Sequence, residues 1–156
     1  MTKEQKGKVL VVHFSGTIEE NEDFEALIGD VQKEIHEEIQ VYTKGVSRIN
    51  SMGVRNWIKY FQTLAAEKIK IRFFECSTTI VQQINLISNF TAGGIVESIY
   101  APFVCEGCGG ELLGLFQAKE LIKMNLEVPD QKCGKCGGNA VFDDLPREYF
   151  GFLSRA

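Results

Sequence analysis

The stretch that decides the fold is residues 47–58, which read Ser-Arg-Ile-Asn-Ser-Met-Gly-Val-Arg-Asn-Trp-Ile. Apolar residues before it, from Ile39 to Val46, suit a β-strand. From Val54 onward, apolar residues recur at helical spacing, which predicts an amphipathic helix over 51–66. Asn50 and Ser51 lie where a helix needs a side chain to cap its first backbone N–H groups. We therefore expect a strand, a tight cap and a helix in immediate succession.

A serine at such a helix start has two possible uses. Unpaired backbone N–H groups and the positive end of the helix dipole would stabilise a phosphate attached to Ser51. The simpler interpretation is that Asn50 and Ser51 only cap the helix. These residues alone leave both interpretations open.

Composition limits the class of protein. The 156 residues, 17.5 kDa, have room for one main domain and a small second module. The net charge of −4 argues against nucleic-acid binding, where affinity comes largely from Lys and Arg. No apolar run reaches the roughly 18 residues of a membrane span, so no membrane association is expected. Five cysteines, four of them in two C-x-x-C pairs, fit a reducing compartment, which predicts a cytoplasmic protein.

Strand and helix patterns alternate through the first two thirds of the chain. A strand over 8–17 precedes a helix whose apolar stripe comprises Phe24, Leu27, Ile28, Val31 and Ile35. Residues 2–6 suit a short edge strand, and a third helix capped by Ser77 or Thr78 precedes a last strand from Ile95 to Val104. This order predicts an α/β fold with a mixed or parallel sheet covered by helices. We assign it to residues 1–104.

The second module, residues 105–156, follows without a linker and contains two cysteine pairs. Cys105 and Cys108 form one C-x-x-C pair, Cys133 and Cys136 form the other, and each pair is followed by two glycines. Four thiolates in two such knuckles predict a closed tetrahedral site that holds structural zinc. Two alternatives stay open: a pair of disulfides, and redox chemistry at one C-x-x-C.

The rest of this module carries weaker signals. Between the pairs, 112–117 and 122–128 can form a hairpin, and the module as far as Gly138 has four lysines against five carboxylates. That balance lacks the basic surface with which zinc ribbons bind nucleic acid. In the tail, 140–142 suits a strand and 143–146 a helix start. The following apolar side chains should fold back onto the protein; they are Tyr149, Phe150, Phe152 and Leu153.

Residues 5–104 resemble the STAS domain, the family of anti-sigma-factor antagonists. The strand that ends in Gly16 is followed by an acidic helix start, as in the family. The stretch Gly45 to Val54 is similar to the family's strand–Asp-Ser-Ser-Gly–helix signature. Strand, helix and strand then close the unit near residue 104. Two positions depart from the signature: Asn50 replaces the aspartate, and Met52 replaces the second serine.

The resemblance implies a STAS-like domain without catalytic activity that binds a regulatory protein, an anti-sigma-factor or a kinase-like partner. Ser51 aligns with the serine that partner kinases phosphorylate in this family, and a fixed scaffold that needs no phosphate is the other form of the hypothesis. Candidate contacts surround this helix start, although Trp57 also suits the core; they are Asn50, Ser51, Met52, Arg55, Trp57 and Tyr60.

Two other functions remain as alternatives. One is a thiol redox protein that uses a C-x-x-C pair, which predicts a low-pKa thiol and no tightly bound metal. The other is a zinc-ribbon nucleic-acid binder with salt-dependent affinity. The sequence contains no phosphate loop or Ser/His/Asp arrangement, and the only histidines are His13 and His36. We therefore expect no enzymatic activity.

Overall fold

The computed structural model describes residues 1–20, 23–28 and 36–154, which form two β-sheets and several helices. The strands are β1 (Thr2–Lys6), β2 (Val9–Ile18), β3 (Glu38–Ile49), β4 (Lys70–Phe74), β5 (Ile95–Val96), β6 (Ser98–Cys105), β7 (Glu111–Gln117), β8 (Gln131–Lys132) and β9 (Asn139–Phe142). The helices are α1 (Phe24–Ile28), α2 (Ser51–Ala66), α3 (Thr78–Leu86), α4 (Ala118–Lys123), α5 (Pro146–Tyr149) and α6 (Gly151–Ser154).

The first sheet is mixed and has the order β1-β2-β3-β4-β5. Strand β1 is antiparallel to β2, whereas the pairs β2–β3, β3–β4 and β4–β5 are parallel. This confirms the mixed α/β class, the edge strand over 2–6 and the helix over 51–66. Of the stripe predicted for the first helix, Phe24 is buried, whereas Val31 and Ile35 lie outside the described residues.

Trp57 of α2 lies at the centre of the core and is fully buried. Its Nε1 donates to the backbone oxygen of Phe90 at 3.1 Å, and its ring stacks on the Phe90 ring at 5.2 Å between centroids. Burial of so large a ring with a satisfied N–H contributes strongly to packing. Trp57 is therefore a core residue, and its prediction as a partner contact is wrong.

The predicted last strand of the first unit, Ile95 to Val104, is divided in the structure. Strand β5 pairs with β4, whereas β6 lies in the second sheet, between β7 and β9. Cys76 joins the two sheets, because its N–H donates to Ser98 at 3.1 Å and its oxygen accepts from the Tyr100 N–H at 2.8 Å. The chain thus passes from one sheet into the other within a few residues.

The second sheet has the order β7-β6-β9-β8 and is antiparallel. The hairpin predicted between the cysteine pairs is wrong, because β7 pairs with β6, which precedes it directly in sequence. Residues 122–128 contain the end of α4 and a turn in which Asn125 and Leu126 have φ of 56° and 64°. Short loops close at a low entropic cost, which favours the β6–β7 hairpin over a longer one.

The C-terminal tail folds back onto α3, as predicted. Tyr149 and Phe150 are buried, and the Tyr149 hydroxyl donates to the backbone oxygen of Tyr100. The Asn85 side chain donates to the Tyr149 oxygen at 2.8 Å and accepts from the Phe152 N–H at 3.0 Å. The tail and both sheets contribute to one continuous hydrophobic cluster. No described helix has the length and apolar character that crossing a membrane requires.

Candidate metal centre and the start of helix α2

The two cysteine pairs lie in loops with the same backbone hydrogen bonds, which we call knuckle 1 (105–110) and knuckle 2 (133–138). In knuckle 1 the Cys105 N–H donates to Gly110 at 2.8 Å, and its oxygen accepts from Gly109 at 2.9 Å. In knuckle 2 the Cys133 N–H donates to Gly138 and its oxygen accepts from Gly137, both at 2.9 Å. Knuckle 1 connects β6 to β7 and knuckle 2 connects β8 to β9, so the second sheet positions both.

The glycines of the knuckles are required by geometry. Gly109 and Gly137 have φ of 71° and 74°, a region that side chains disfavour. A Cβ atom at Gly138 would lie 3.1 Å from the sulfurs of both Cys105 and Cys136. Glycine therefore allows the backbone to turn close to the sulfur atoms.

The four sulfur atoms form one cluster and all lie within 4.8 Å of one another. Two sulfur contacts run across the knuckles: Cys105 to Cys136 at 3.4 Å and Cys108 to Cys133 at 3.8 Å. Four sulfurs bound to one zinc ion at about 2.3 Å would stand roughly 3.8 Å apart. The cysteines predicted as ligands are thus brought together at a spacing that fits a four-coordinate metal ion.

Backbone N–H groups point at the sulfurs and favour the thiolate form. Those of Cys136 and Lys135 lower the pKa of Cys133 to about 6, and that of Cys108 lowers the pKa of Cys105. The Gly138 N–H also lowers the pKa of Cys136, but the neighbouring Cys105 and Cys108 sulfurs outweigh it and raise that pKa to about 11. Four thiolates this close repel one another unless a cation neutralises them. A bound metal cation would therefore offset the repulsion between the four thiolates.

Asn139 connects the two knuckles, and the sequence analysis did not single it out. Its side-chain amide donates to Glu106 at 3.0 Å and to Asp130 at 2.9 Å. Its backbone oxygen accepts from the Glu106 N–H at 2.9 Å. Asn139 follows the double glycine of knuckle 2, but its partner in knuckle 1 is 33 positions away. Only the folded arrangement reveals this role.

At the second candidate site, the start of α2, Asn50 is the N-cap. Its Oδ1 accepts from the Gly53 N–H at 2.8 Å, and its own N–H donates to Ile18 at 3.1 Å. Its Nδ2 donates to a Glu20 carboxylate oxygen at 3.4 Å, and the Asn56 amide donates to the Glu20 backbone at 3.2 Å. Of the two residues predicted to cap the helix, Asn50 does so. Glu20 is a further participant that the sequence analysis missed.

The other predicted contacts divide into two groups. Ser51, Met52 and Arg55 are exposed on the first turns of α2 beside Asn50, which is also exposed. Tyr60 is half-buried, and its ring packs against Phe24 at 5.8 Å and Phe61 at 5.3 Å between centroids. We call the exposed group, residues 50–52 and Arg55, the α2-start surface.

A scan against models of known protein families and a search of curated proteins found no match.

Proposed function

We propose that this protein is a non-enzymatic regulatory module that binds a signalling protein through the α2-start surface. The observation that carries the proposal is the exposure of Met52, 42% of its surface, beside the exposed Ser51 on a firmly capped helix start. Methionine adapts its flexible, polarisable side chain to apolar pockets, and large exposed apolar groups on rigid elements suit recognition. Arg55 adds a charged donor one turn further on.

The STAS-type interpretation has two supports in the fold. Three parallel strands in sequential order, β2, β3 and β4, lead to α2 and α3. Gly53, the glycine of the signature-like stretch, is buried where α2 meets the end of β2, and a Cβ there would collide with the backbone oxygen of Ile18. The signature position thus has a packing reason to be glycine. The partner class proposed on this basis is an anti-sigma factor or a kinase-like protein.

Phosphorylation of Ser51 is the switchable form of this proposal. The Ser51 side chain is exposed at the first position of α2, where the helix dipole favours negative charge. The Glu20 carboxylate already lies beside Asn50 and would repel an added phosphate. A phosphate on Ser51 would therefore place negative charges close together within the α2-start surface. This would lower the affinity of a partner that binds the unmodified form.

For the cysteine cluster we propose structural zinc. Sulfur contacts of 3.4 Å and 3.8 Å run between the knuckles, whereas thioredoxin-type redox chemistry forms a disulfide within one C-x-x-C. Four protein ligands leave no open position for a substrate, which suits a structural ion. Native mass spectrometry of the full chain should find one zinc per chain; a metal-free chain with disulfides within each C-x-x-C would favour the redox alternative.

Site-specific photo-crosslinking in the protein's own cells tests the partner surface. A photoreactive residue at Met52 should capture one signalling protein, and the same residue at Gln62, exposed further along α2, should not. With the captured partner purified, M52A should weaken binding by about tenfold or more, whereas Q62A should leave it unchanged. Equal affinity of M52A and the unaltered chain would contradict the proposal, and Ser51 found unmodified in every growth condition would leave only the fixed scaffold form.

A further inference from the structure

Strand β7 forms an outer edge of the second sheet, and its composition leaves that edge unprotected. It reads Glu111-Leu-Leu-Gly-Leu-Phe-Gln117, without charge or proline between its two ends. Edge strands are usually guarded against pairing by lysine, proline or a bulge. The register of β7 on β6 is regular from Glu111 to Gln117, so no bulge interrupts it.

The backbone groups that face outward can be identified from the ends of the β6–β7 ladder. Ala118 donates to Glu97 at 2.9 Å at one end, and Cys105 donates to Gly110 at 2.8 Å at the other. Because bonded and non-bonded pairs alternate in an antiparallel ladder, the even-numbered residues of β7 bond to β6. The odd-numbered residues therefore present their N–H and C=O groups to the free edge. No hydrogen bond from the described part of the chain reaches these groups.

The side chains of the same odd-numbered residues lie on the exposed face of the sheet. Leu113 is 58% exposed and Leu115 is 45% exposed. The even-numbered residues Gly114 and Phe116 are buried. A continuous apolar strip thus borders a row of unpaired backbone groups. Such an edge is a template for another strand.

We propose that a second copy of this chain covers the edge, by antiparallel pairing of β7 with β7 about a two-fold axis at Gly114. In this register Leu113 of each copy lies opposite Leu115 of the other, and Glu111 lies opposite Gln117. All outward-facing residues of β7 then pair, no like charges oppose each other, and each carboxylate meets an amide. Registers centred on Leu113 or Leu115 leave part of this edge without a β7 partner.

The self-complementary sequence is the reason for choosing a second copy over an unrelated strand. Glycine lies at the centre, leucines flank it symmetrically, and an acid and an amide close the two ends. A two-fold axis makes such a patch its own partner, which gives a closed dimer rather than a fibre. The two four-stranded sheets would join into one.

Sedimentation equilibrium of the full zinc-treated chain measures this association. The variant L113K/L115K places lysine opposite lysine across the two-fold axis and should raise the dissociation constant of the dimer at least about tenfold. The control L86K/L145K adds the same charge at leucines that are 77% and 60% exposed outside β7, and it should leave the constant unchanged. A chain that stays monomeric at all concentrations, or a dimer that L113K/L115K leaves intact, would overturn the proposal.

A charge-swapped variant tests the register. L113K/L115E places Lys opposite Glu only when the axis passes through Gly114, so this variant should dimerise about as well as the unaltered chain. A register centred on either leucine would bring like charges together and abolish dimerisation. Hydrogen exchange at the Leu113 and Leu115 amides should slow as concentration rises, and protection that required a different protein would overturn the choice of a second copy.

Discussion

Cys76 illustrates how environment separates one cysteine from the other four. Its side chain is fully buried, and burial in apolar surroundings raises its pKa to about 12. Three of the knuckle sulfurs, those of Cys105, Cys108 and Cys136, instead accept hydrogen bonds from backbone N–H groups. Cys76 therefore packs as a small apolar residue, whereas the knuckle sulfurs have the character of metal ligands.

Gly53 gives a prediction at the scale of one residue. Alanine favours a helix over glycine by about 1 kcal/mol, but a Cβ at Gly53 would lie 2.9 Å from the Ile18 carbonyl carbon and closer still to its oxygen. Overpacking against backbone costs about 1–3 kcal/mol. We expect G53A to lower the free energy of unfolding by up to about 2 kcal/mol in urea denaturation.

The matched control is G151A, at the start of α6. There the nearest atom to a new Cβ is 3.6 Å away, an ordinary contact. The same substitution should leave stability unchanged or raise it by up to about 1 kcal/mol. Equal effects of G53A and G151A would mean that the close approach of α2 to β2 does not constrain the fold.

At the scale of elements, the sequence predicted those features that residues close together in the chain determine. The bounds of α2 followed from a cap and an apolar stripe, both contained within 50–66. The residues of a strand do not by themselves specify which strand it pairs with. The sequence therefore did not predict the division of 95–105 between two sheets or the pairing of β7 with β6. The cysteine spacing predicted the sulfur cluster, but Asn139 and Glu20 contribute through partners distant in sequence.

Asn85 gives a prediction for the tail elements α5 and α6. N85A removes the hydrogen bonds to the Tyr149 oxygen and the Phe152 N–H, both at partly buried positions. Loss of these bonds should lower the free energy of unfolding by about 1–3 kcal/mol and accelerate amide exchange at Phe152. N89A, at an exposed position of the loop that follows α3, should change neither quantity. Unaltered exchange at Phe152 in N85A would show that apolar contacts alone hold the tail.

At the scale of the molecule, the cysteine cluster and the first sheet are linked through shared elements. Strand β6 carries Cys105 at its end and Phe103 in the core, and Phe142 of β9 packs against both Phe103 and Phe150. Phe150 belongs to the tail that Asn85 of α3 holds through its hydrogen bonds to Tyr149 and Phe152. The sequence divides the chain into modules at 104/105, from which we would expect loss of zinc to unfold only the C-terminal third. The continuous core leads to a different expectation.

If the proposed zinc ion is bound, its removal by a chelator should lower the stability of the whole molecule in a single transition. A structural metal contributes its binding free energy to folding, and each kcal/mol lost shifts the unfolding temperature of a chain this size by about 2–4 °C. Trp57, the single tryptophan, lies in the core of the first sheet and reports on that sheet by fluorescence. We expect a strong chelator to lower the temperature of the Trp57 transition by about 5–10 °C.

Far-ultraviolet circular dichroism, recorded in the same experiment, should give the same transition temperature as Trp57 fluorescence, because the shared core couples the two sheets. The variant C136S lacks one of the four proposed ligands, so it should unfold at the lower temperature and show no further shift with chelator. The contrary result is an unchanged temperature of the Trp57 transition together with loss of part of the circular dichroism signal. It would show that the two sheets unfold independently and that β6 does not couple them.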